Sequence, residues 1–448
     1  MVGGSNRSRP LAALAALGLW LSLLAACSAP PPPTGPSLPA TTSAGTPATS
    51  PVVPPQGSRL GVWLGGGDKA AVERLRGTGA GWTRVILSWA TVEPIYSDPA
   101  HYNFAATDAL LGNLAAAGLQ AFVEVRDNPT WAASTFCGPI DQAGGLEAFG
   151  RFLGALAQRY GSAPYGVKHW ELYNEPDATS VQAAQEVGMG CWGNYPREYA
   201  DMLHVASFAL KSADPAAVVV LGGLAHENPP FHFNLDFLDM VLAAGGGDFF
   251  DVANVHYFSS YAFGWQSYGP DVVGKLNRIR RTLTRHGLDK PVAITEVSWS
   301  NDADPEHQAR YLPKVLARAL ANDVYLVTWF SLADWRGALP YGLFDLNLQP
   351  KPSYRAFQVA AAEFGEAKSV RALPPTDMAA KGSVEGYAVV VGDQELWLLW
   401  AADGTRGEVT LPPRAIEVLD REGRRLLLPP TGQPLAVDEN PVYVHLRP

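Results

Sequence analysis

Glu175 and Glu296 stand 121 positions apart, and each sits near the end of a short run that reads as an apolar strand. The runs are Trp170-Glu171-Leu172-Tyr173-Asn174-Glu175-Pro176 and Ala293-Ile294-Thr295-Glu296-Val297-Ser298-Trp299. Two carboxyl groups facing one another across a sugar-sized cleft supply what cleavage of a glycosidic bond requires. One must be protonated near neutral pH to serve the leaving oxygen, and the other must stay ionised on the far side of the anomeric carbon. Asn174, just before Glu175, brings a side-chain amide that can hydrogen-bond a sugar hydroxyl beside the acid, and Glu296 fits the nucleophile.

Such a pair needs a scaffold that brings distant strand ends together. After Gly57 the chain alternates β-rich runs with longer amphipathic stretches, a pattern that argues for α/β architecture with a parallel sheet. Eight candidate strands can be counted: Leu60 to Leu64, Trp82 to Leu87, Gln120 to Val125, Lys168 to Tyr173, Val218 to Leu221, Phe250 to His256, Val292 to Glu296 and Tyr325 to Phe330. Eight strands close a TIM (β/α)8 barrel, and at about 40 residues per unit three units separate the two glutamates, which puts both on the C-terminal rim. Leu110, Leu111 and Leu114, then Phe149, Phe152, Leu153 and Leu156, recur at helical spacing and read as packing faces. Beyond Tyr354 to Phe364, the last barrel helix, the texture changes to short strands with turn signals: Tyr387 to Val391, Glu395 to Trp400, Glu408 to Leu411, Ala415 to Leu419 and Val442 to Leu446. These predict a small C-terminal antiparallel β-sandwich over 369–448, behind a catalytic barrel over 57–368.

Several ordered motifs resemble the retaining glycoside hydrolases of clan A, above all family 39 (β-xylosidase-like and exopolysaccharide-degrading enzymes), and more loosely family 5. They are Thr83-Arg84-Val85, Ser88-Trp89 with Val92-Glu93-Pro94, Tyr102-Asn103-Phe104 with Asp108, Asn174-Glu175-Pro176, His256-Tyr257, Glu296, Trp329, and Tyr341-Gly342-Leu343-Phe344 followed by Lys351-Pro352-Ser353-Tyr354. Asn-Glu-Pro alone carries little weight; its weight comes from order and spacing over residues 59 to 365. The resemblance implies Glu175 as acid/base, Glu296 as nucleophile, carboxyls about 5 to 5.5 Å apart and retention of anomeric configuration. It also implies that Arg84 holds the nucleophile ionised, and that Trp329 floors the sugar site.

His256 and Tyr257 end the sixth strand, and because neighbours on a strand point to opposite faces, one of the two is expected to meet substrate. Trp131, Trp192, Trp265 and Trp335 fall in rim loops and are candidates for outer sugar contacts, against simple loop packing. Glu124 and Glu171 are further carboxylates near strand ends, with Glu171 too deep for direct attack. There is no His-Glu-x-x-His run and no phosphate loop, and Gly65-Gly66-Gly67 lacks a dinucleotide fingerprint, so no metal and no cofactor are inferred.

The amino end reads as an address. Arg7 and Arg9 precede an uncharged apolar run from Leu11 to Ala26 that closes on Leu24-Ala25-Ala26-Cys27, a signal peptide resembling a bacterial lipobox with Cys27 as the lipidated residue over 1–27. Residues 28–56 hold ten prolines and no charge; at about 3.1 Å per residue this tether reaches on the order of 90 Å. Loss of the two leader arginines moves the net charge from −9 to −11, which argues against nucleic acid and leaves the N-terminal lipid as the sole membrane contact. In an oxidising compartment the remaining Cys137 and Cys191 are expected to form a disulfide. The expectation is an exported monomer on the outer face of a bacterial membrane that acts on a polysaccharide or oligosaccharide. A glycan-binding lipoprotein without turnover, or a transglycosylase sharing the same site, are the competing readings. Cys27→Ser is expected to move the protein from the membrane fraction to the soluble one; if it stays with the membrane, the lipobox reading is wrong.

Overall fold

In the computed structural model, residues 57–182, 184, 188–226, 233–259, 265–299 and 304–448 are described; Cys27 and the tether lie outside them. Among the described residues no helix is long and apolar enough to cross a membrane.

Eight parallel strands form the first layer: β1 (Leu60–Val62), β2 (Trp82–Ser88), β3 (Gln120–Arg126), β4 (His169–Asn174), β5 (Val218–Gly223), β6 (Ala253–Phe258), β7 (Val292–Ser298) and β8 (Val324–Trp329). Their order, β5-β4-β3-β2-β1-β8-β7-β6, is closed by parallel bridges from Val220 to Val252 and from Leu224 to Val255. This is the expected (β/α)8 barrel. The sixth strand begins at Ala253 rather than Phe250 because Asp251 is diverted: its carboxylate accepts the Val219 N–H at 2.8 Å and pairs with Lys211 at 2.6 Å.

The outer ring consists of α1 (Lys69–Arg76), α2 (Trp89–Val92), α3 (Ala105–Ala116), α4 (Gly145–Tyr160), α5 (Pro196–Ala213), α6 (Phe237–Ala243), α7 (Asp271–Arg285), α8 (Pro305–Ala321) and α9 (Pro352–Phe364). The predicted apolar stripes face inward: Leu111, Leu114, Phe149, Phe152, Leu153 and Leu156 are buried, and Leu110 is half-buried against the same core. The barrel's lower interior is plugged by Trp82, Phe122, Val220, Val252, Ala293, Tyr325 and Leu326. His169 sits in this plug 2.8 Å from the Tyr325 hydroxyl, and burial pushes its pKa down to about 4, so it stays a neutral packing group. A filled floor leaves the C-terminal rim as the open end.

The C-terminal region is an antiparallel sheet, as its hairpin signals predict. Strands β9 (Ser369–Ala372), β10 (Val384–Val391), β11 (Gln394–Ala401), β13 (Ala415–Asp420), β14 (Arg425–Leu426) and β16 (Val442–Leu446) line up as β14-β13-β16-β11-β10-β9. A second layer holds only β12 (Gly407–Thr410) and β15 (Pro434–Val437). The β9, β14 and β15 strands, two to four residues long, escaped the sequence reading.

The six-stranded sheet is covered on both faces. One face shares a core with β12 and β15 through Leu399, Val409, Leu435, Val437 and Val444; the other joins the barrel core through Val389, Leu398, Trp400 and Tyr443. Arg318 of α8 bridges this seam. It donates to Glu385 at 2.9 and 2.6 Å and to Asp271 at 2.7 Å, and stacks over Trp400 at 5.5 Å. Removing one member of a largely desolvated ion network leaves its partners uncompensated. Arg318→Ala is therefore expected to lower stability by about 2 kcal/mol, read as a lower urea midpoint at unchanged slope; an unmoved midpoint would mean that apolar packing alone holds the seam.

Candidate active site

Two departures from regular strand geometry aim the glutamates. At the end of β4, Tyr173 and Glu175 carry positive φ angles of 65° and 43°, a region costly for residues with a β-carbon. The sharp turn lets the consecutive Asn174 and Glu175 both reach the barrel mouth, where plain alternation would send them apart. In β7 the pairing with β6 steps from Val255–Ile294 to His256–Glu296, leaving Thr295 as an extra residue. Such a bulge re-aims the side chain after it, and Thr295 and Glu296 both face His256 as a result.

Arg84 is the hub. From the interior of β2 its guanidinium donates to Glu296 at 2.6 Å, to both oxygens of Glu171 at 2.7 and 2.8 Å, and to Asn174 Oδ1 at 2.9 Å, and lies 3.2 Å from Glu124. Burial works against its charge, but Glu124, Glu171 and Glu296 outweigh that penalty and raise its pKa. Glu171, with a bidentate clamp on one side and the Gly223 N–H on the other, is fully engaged, in keeping with its place too deep for attack. Glu124 contacts Arg84 and Arg126 as ion pairs.

Glu175 and Glu296 meet across His256. Its Nδ1 lies 3.0 Å from Glu175 and 3.7 Å from Glu296, and one donor atom from each of the three falls within 4.8 Å of the others. Three such atoms resemble a metal set; here the Arg84 guanidinium already supplies positive charge to Glu296. Burial pushes both carboxyls up to about 7. Glu296 is opposed in this by Arg84, to which it is hydrogen-bonded, whereas the counter-charges on Glu175, Lys275 then Arg84, act without a hydrogen bond. The proton of the pair therefore resides on Glu175, and the negative charge on Glu296. Burial lowers His256 to about 3, so it spaces and orients without adding charge. Its Nε2 rests 3.1 Å from Thr295 Oγ1.

A loop clamp completes the mouth. Cys137 and Cys191 are disulfide-bonded, joining the loops after β3 and β4. The Gly188 carbonyl on the second loop accepts from Asn174 Nδ2 at 3.1 Å and from Arg126 at 2.6 Å. One N–H of the Asn174 amide remains for a ligand hydroxyl.

Other candidates are placed elsewhere. Tyr257 points away from the pair, its hydroxyl donating to Asp271 at 2.7 Å on α7; of the two neighbours, His256 is the one that faces the mouth. Trp329 is not a sugar platform, since it is 0 % exposed and turned toward the helices, with its indole N–H on the Tyr341 carbonyl. The reason is parity: Thr328 and Phe330 face inward, so the residue between them cannot. Trp131 is half-buried on the rim, edge-on to Trp89 and Tyr96 and bonded to the Glu93 carbonyl. Trp192 and Trp265 are buried.

The aromatic wall that sequence reasoning missed is formed by Trp63, Phe258, Phe330 and Tyr341. Phe330 packs 4.9 Å from Trp63, 5.6 Å from Phe258, 5.7 Å from Tyr341 and 5.4 Å from Trp335, and its N–H bonds the carbonyl of Val297, the residue after Glu296. Inward parity carried one step past the ends of β1 and β8 would have found Trp63 and Phe330, and parity along β6 would have found Phe258.

No protein-family model matches the chain. A curated β-xylosidase from Caldicellulosiruptor saccharolyticus is 25% identical over 299 residues, 59% of this chain and 57% of that protein. The chain thus spans little more than half the length of this relative. Among solved structures, a family 39 glycoside hydrolase from Bacteroides cellulosilyticus WH2 superposes with a TM-score of 0.67 at 20% identity, covering 87% of this chain and 81% of the other. The chain shares its fold with family 39 glycoside hydrolases and is similar in sequence to a β-xylosidase. A monomeric β-xylosidase from Caulobacter crescentus CB15 follows the same fold (TM-score 0.60, 16% identity, 89% and 98% covered), as does a family 30 xylanase from Clostridium acetobutylicum (0.60, 11%, 88% and 97%). In this shared barrel frame, Glu175 and Glu296 stand as a facing carboxyl pair at the C-terminal rim.

The ring that separates the pair depends on one missing side chain. A β-carbon on Gly223 would stand 2.1 Å from His256 Nε2, far inside contact distance. Gly223→Ala is expected to displace His256, lower the urea midpoint as overpacking does, and cut turnover of any substrate of the pair at least tenfold under conditions where the variant remains folded; unchanged turnover would show that His256 does not set the spacing.

Proposed function

We propose that this chain is an exported, lipid-anchored, monomeric retaining glycoside hydrolase that cleaves a β-linked polysaccharide or oligosaccharide by double displacement. The observation that carries the reading is the meeting of Glu175, His256 and Glu296 within 4.8 Å, too close for the interposed water of an inverting enzyme and suited to direct attack. In the first step Glu296 attacks the anomeric carbon, the bond to the leaving oxygen breaks, and Glu175 gives that oxygen its proton. In the second, Glu175 takes a proton from water, the resulting hydroxide displaces Glu296, and both carboxyls return to their starting states.

The electrostatics alternate with the chemistry. While Glu296 is anionic, repulsion between the two carboxylates disfavours ionising both, and the proton stays on Glu175, the one without a guanidinium hydrogen bond. Once Glu296 is esterified that repulsion is gone, while Lys275 and Arg84 still favour the ionised form of Glu175, which then serves as the base. Arg84, released from a charged partner, is held by Glu171 and Glu124. The name of the Caldicellulosiruptor relative makes β-xylosides the first substrates to try. Export rests on the leader, Cys27 and the proline-rich tether, and a disulfide between Cys137 and Cys191 suits an oxidising compartment.

The test is release of reducing ends from a panel of β-linked glycans and aryl glycosides. Glu296→Ala is expected to lose nearly all activity on every substrate. Glu175→Ala is expected to retain turnover of aryl glycosides whose leaving group needs no proton, while losing natural glycans; equal losses on both would count against the assignment. Because the reactive form has Glu175 protonated and Glu296 ionised, kcat/KM should follow a bell with its basic limb falling as pH rises through about 7, and that limb should vanish in Glu175→Ala on activated substrates.

A further inference from the structure

On the outer wall of the barrel, away from the glutamate pair, a groove of about 710 Å³ runs along α7, within the size range of ligand pockets, about 300 to 1,000 Å³. Its lining is almost wholly basic and polar: Arg278, Arg280, Arg281 and Arg285, with Tyr268, Asn277 and Thr284. Arg278, Arg281 and Arg285 follow helical spacing and share one face. In a chain of net charge −9, four guanidiniums within eight residues are a local reversal of sign.

That charge is only partly matched. Arg285 pairs with Asp239 at 2.7 Å. Arg278 has a looser partner in Asp236, 3.8 Å away and itself 75% exposed. Arg280 is bonded to a neutral acceptor, the Asn322 carbonyl, and has Asp323 and Asp289 as more distant counter-charges without a direct ion pair among the described residues. Arg281, exposed, makes no ion pair among the described residues and lies 5.2 Å over the Tyr268 ring, with Arg278 5.8 Å over the same ring. Stacking on one tyrosine holds the two planar groups side by side, so less freedom is lost when a carboxylate takes their N–H donors. Asn277 and Thr284 flank them with neutral donors and acceptors of the kind that read hydroxyls.

We infer that this groove binds a carboxylate-bearing polysaccharide, a uronic acid chain, at a surface site separate from the glutamate pair. A linear acidic chain touches the groove alone. A flat anionic membrane would instead bring its charge within a Debye length, about 8 Å, of the acidic surface around the groove as well. The inference stands on the groove and does not need turnover. Joined to the proposed hydrolase activity, it names an acidic glycan as the polymer the enzyme is kept on.

The experiment measures binding of the full chain carrying Glu296→Ala to mannuronate-rich alginate, a polyuronate whose mannuronate linkages are β, and to the same polymer with its carboxyls reduced to alcohols. Alginate should bind, the neutral polymer should bind at least tenfold more weakly, and Arg281→Glu should cost about tenfold, as loss of one charge-assisted contact would. Raising the salt should weaken the alginate complex. With Glu296 intact, Arg281→Glu should leave aryl glycoside turnover unchanged, which also shows that this variant folds. Equal binding of the two polymers, no binding of either, indifference to Arg281→Glu, or Arg281-dependent capture by phosphatidylglycerol vesicles in place of alginate would each overturn the inference. A protein that binds alginate but hydrolyses nothing would sink the hydrolase reading and leave this one standing.

Discussion

One buried cation organises the mouth of this barrel. Arg84 touches Glu124, Glu171, Glu296 and the Asn174 amide from the centre of the β2 strand, and its own pKa is raised by the carboxylates around it. Bringing that many acids out of water is costly unless a fixed positive charge stands among them. The arrangement also divides labour between two chemically identical side chains. The glutamate bonded to the guanidinium is the one that ionises, and the glutamate beside neutral His256 is the one that holds a proton. Neither role belongs to glutamate as a residue type; both come from the neighbours.

Regular secondary structure delivers these groups to the rim but does not aim them. The left-handed residues Tyr173 and Glu175 and the extra residue at Thr295 break strand periodicity at the two points where a carboxyl must turn inward. Conformational cost concentrated at the site is repaid by the surrounding close-packed barrel. Gly223 is the complementary case, a position where the absence of a β-carbon is what admits the imidazole.

The long-range plan was legible because it rests on repetition. Eight β-rich runs with helices between them, ending in an antiparallel sheet, can be read from spacing alone, and the expected fold is the one found. The pair Glu175 and Glu296 could be picked out because each follows an apolar run at barrel spacing. What escaped depends on parity at strand ends. Trp329 and Phe330 differ by one position, and a single step decides which ring faces the cleft and which lies against the helices. Tyr257 and His256 pose the same question, answered by Asp271 drawing the tyrosine outward. Contacts such as Gly188 with Arg126 join segments that nothing in the one-dimensional pattern relates.

The six-stranded sheet that follows the barrel is a separate stretch of chain without being a separate module. Its Trp400 and Tyr443 belong to the same apolar cluster as the barrel helices, and Lys314 and Arg318 of α8 reach across to Asp403 and Glu385. A domain exchanged freely between proteins in evolution needs an outer surface that water can wet on all sides. This one would carry bare tryptophan and tyrosine to any new host, so cutting the chain between barrel and sheet would expose apolar surface on both pieces.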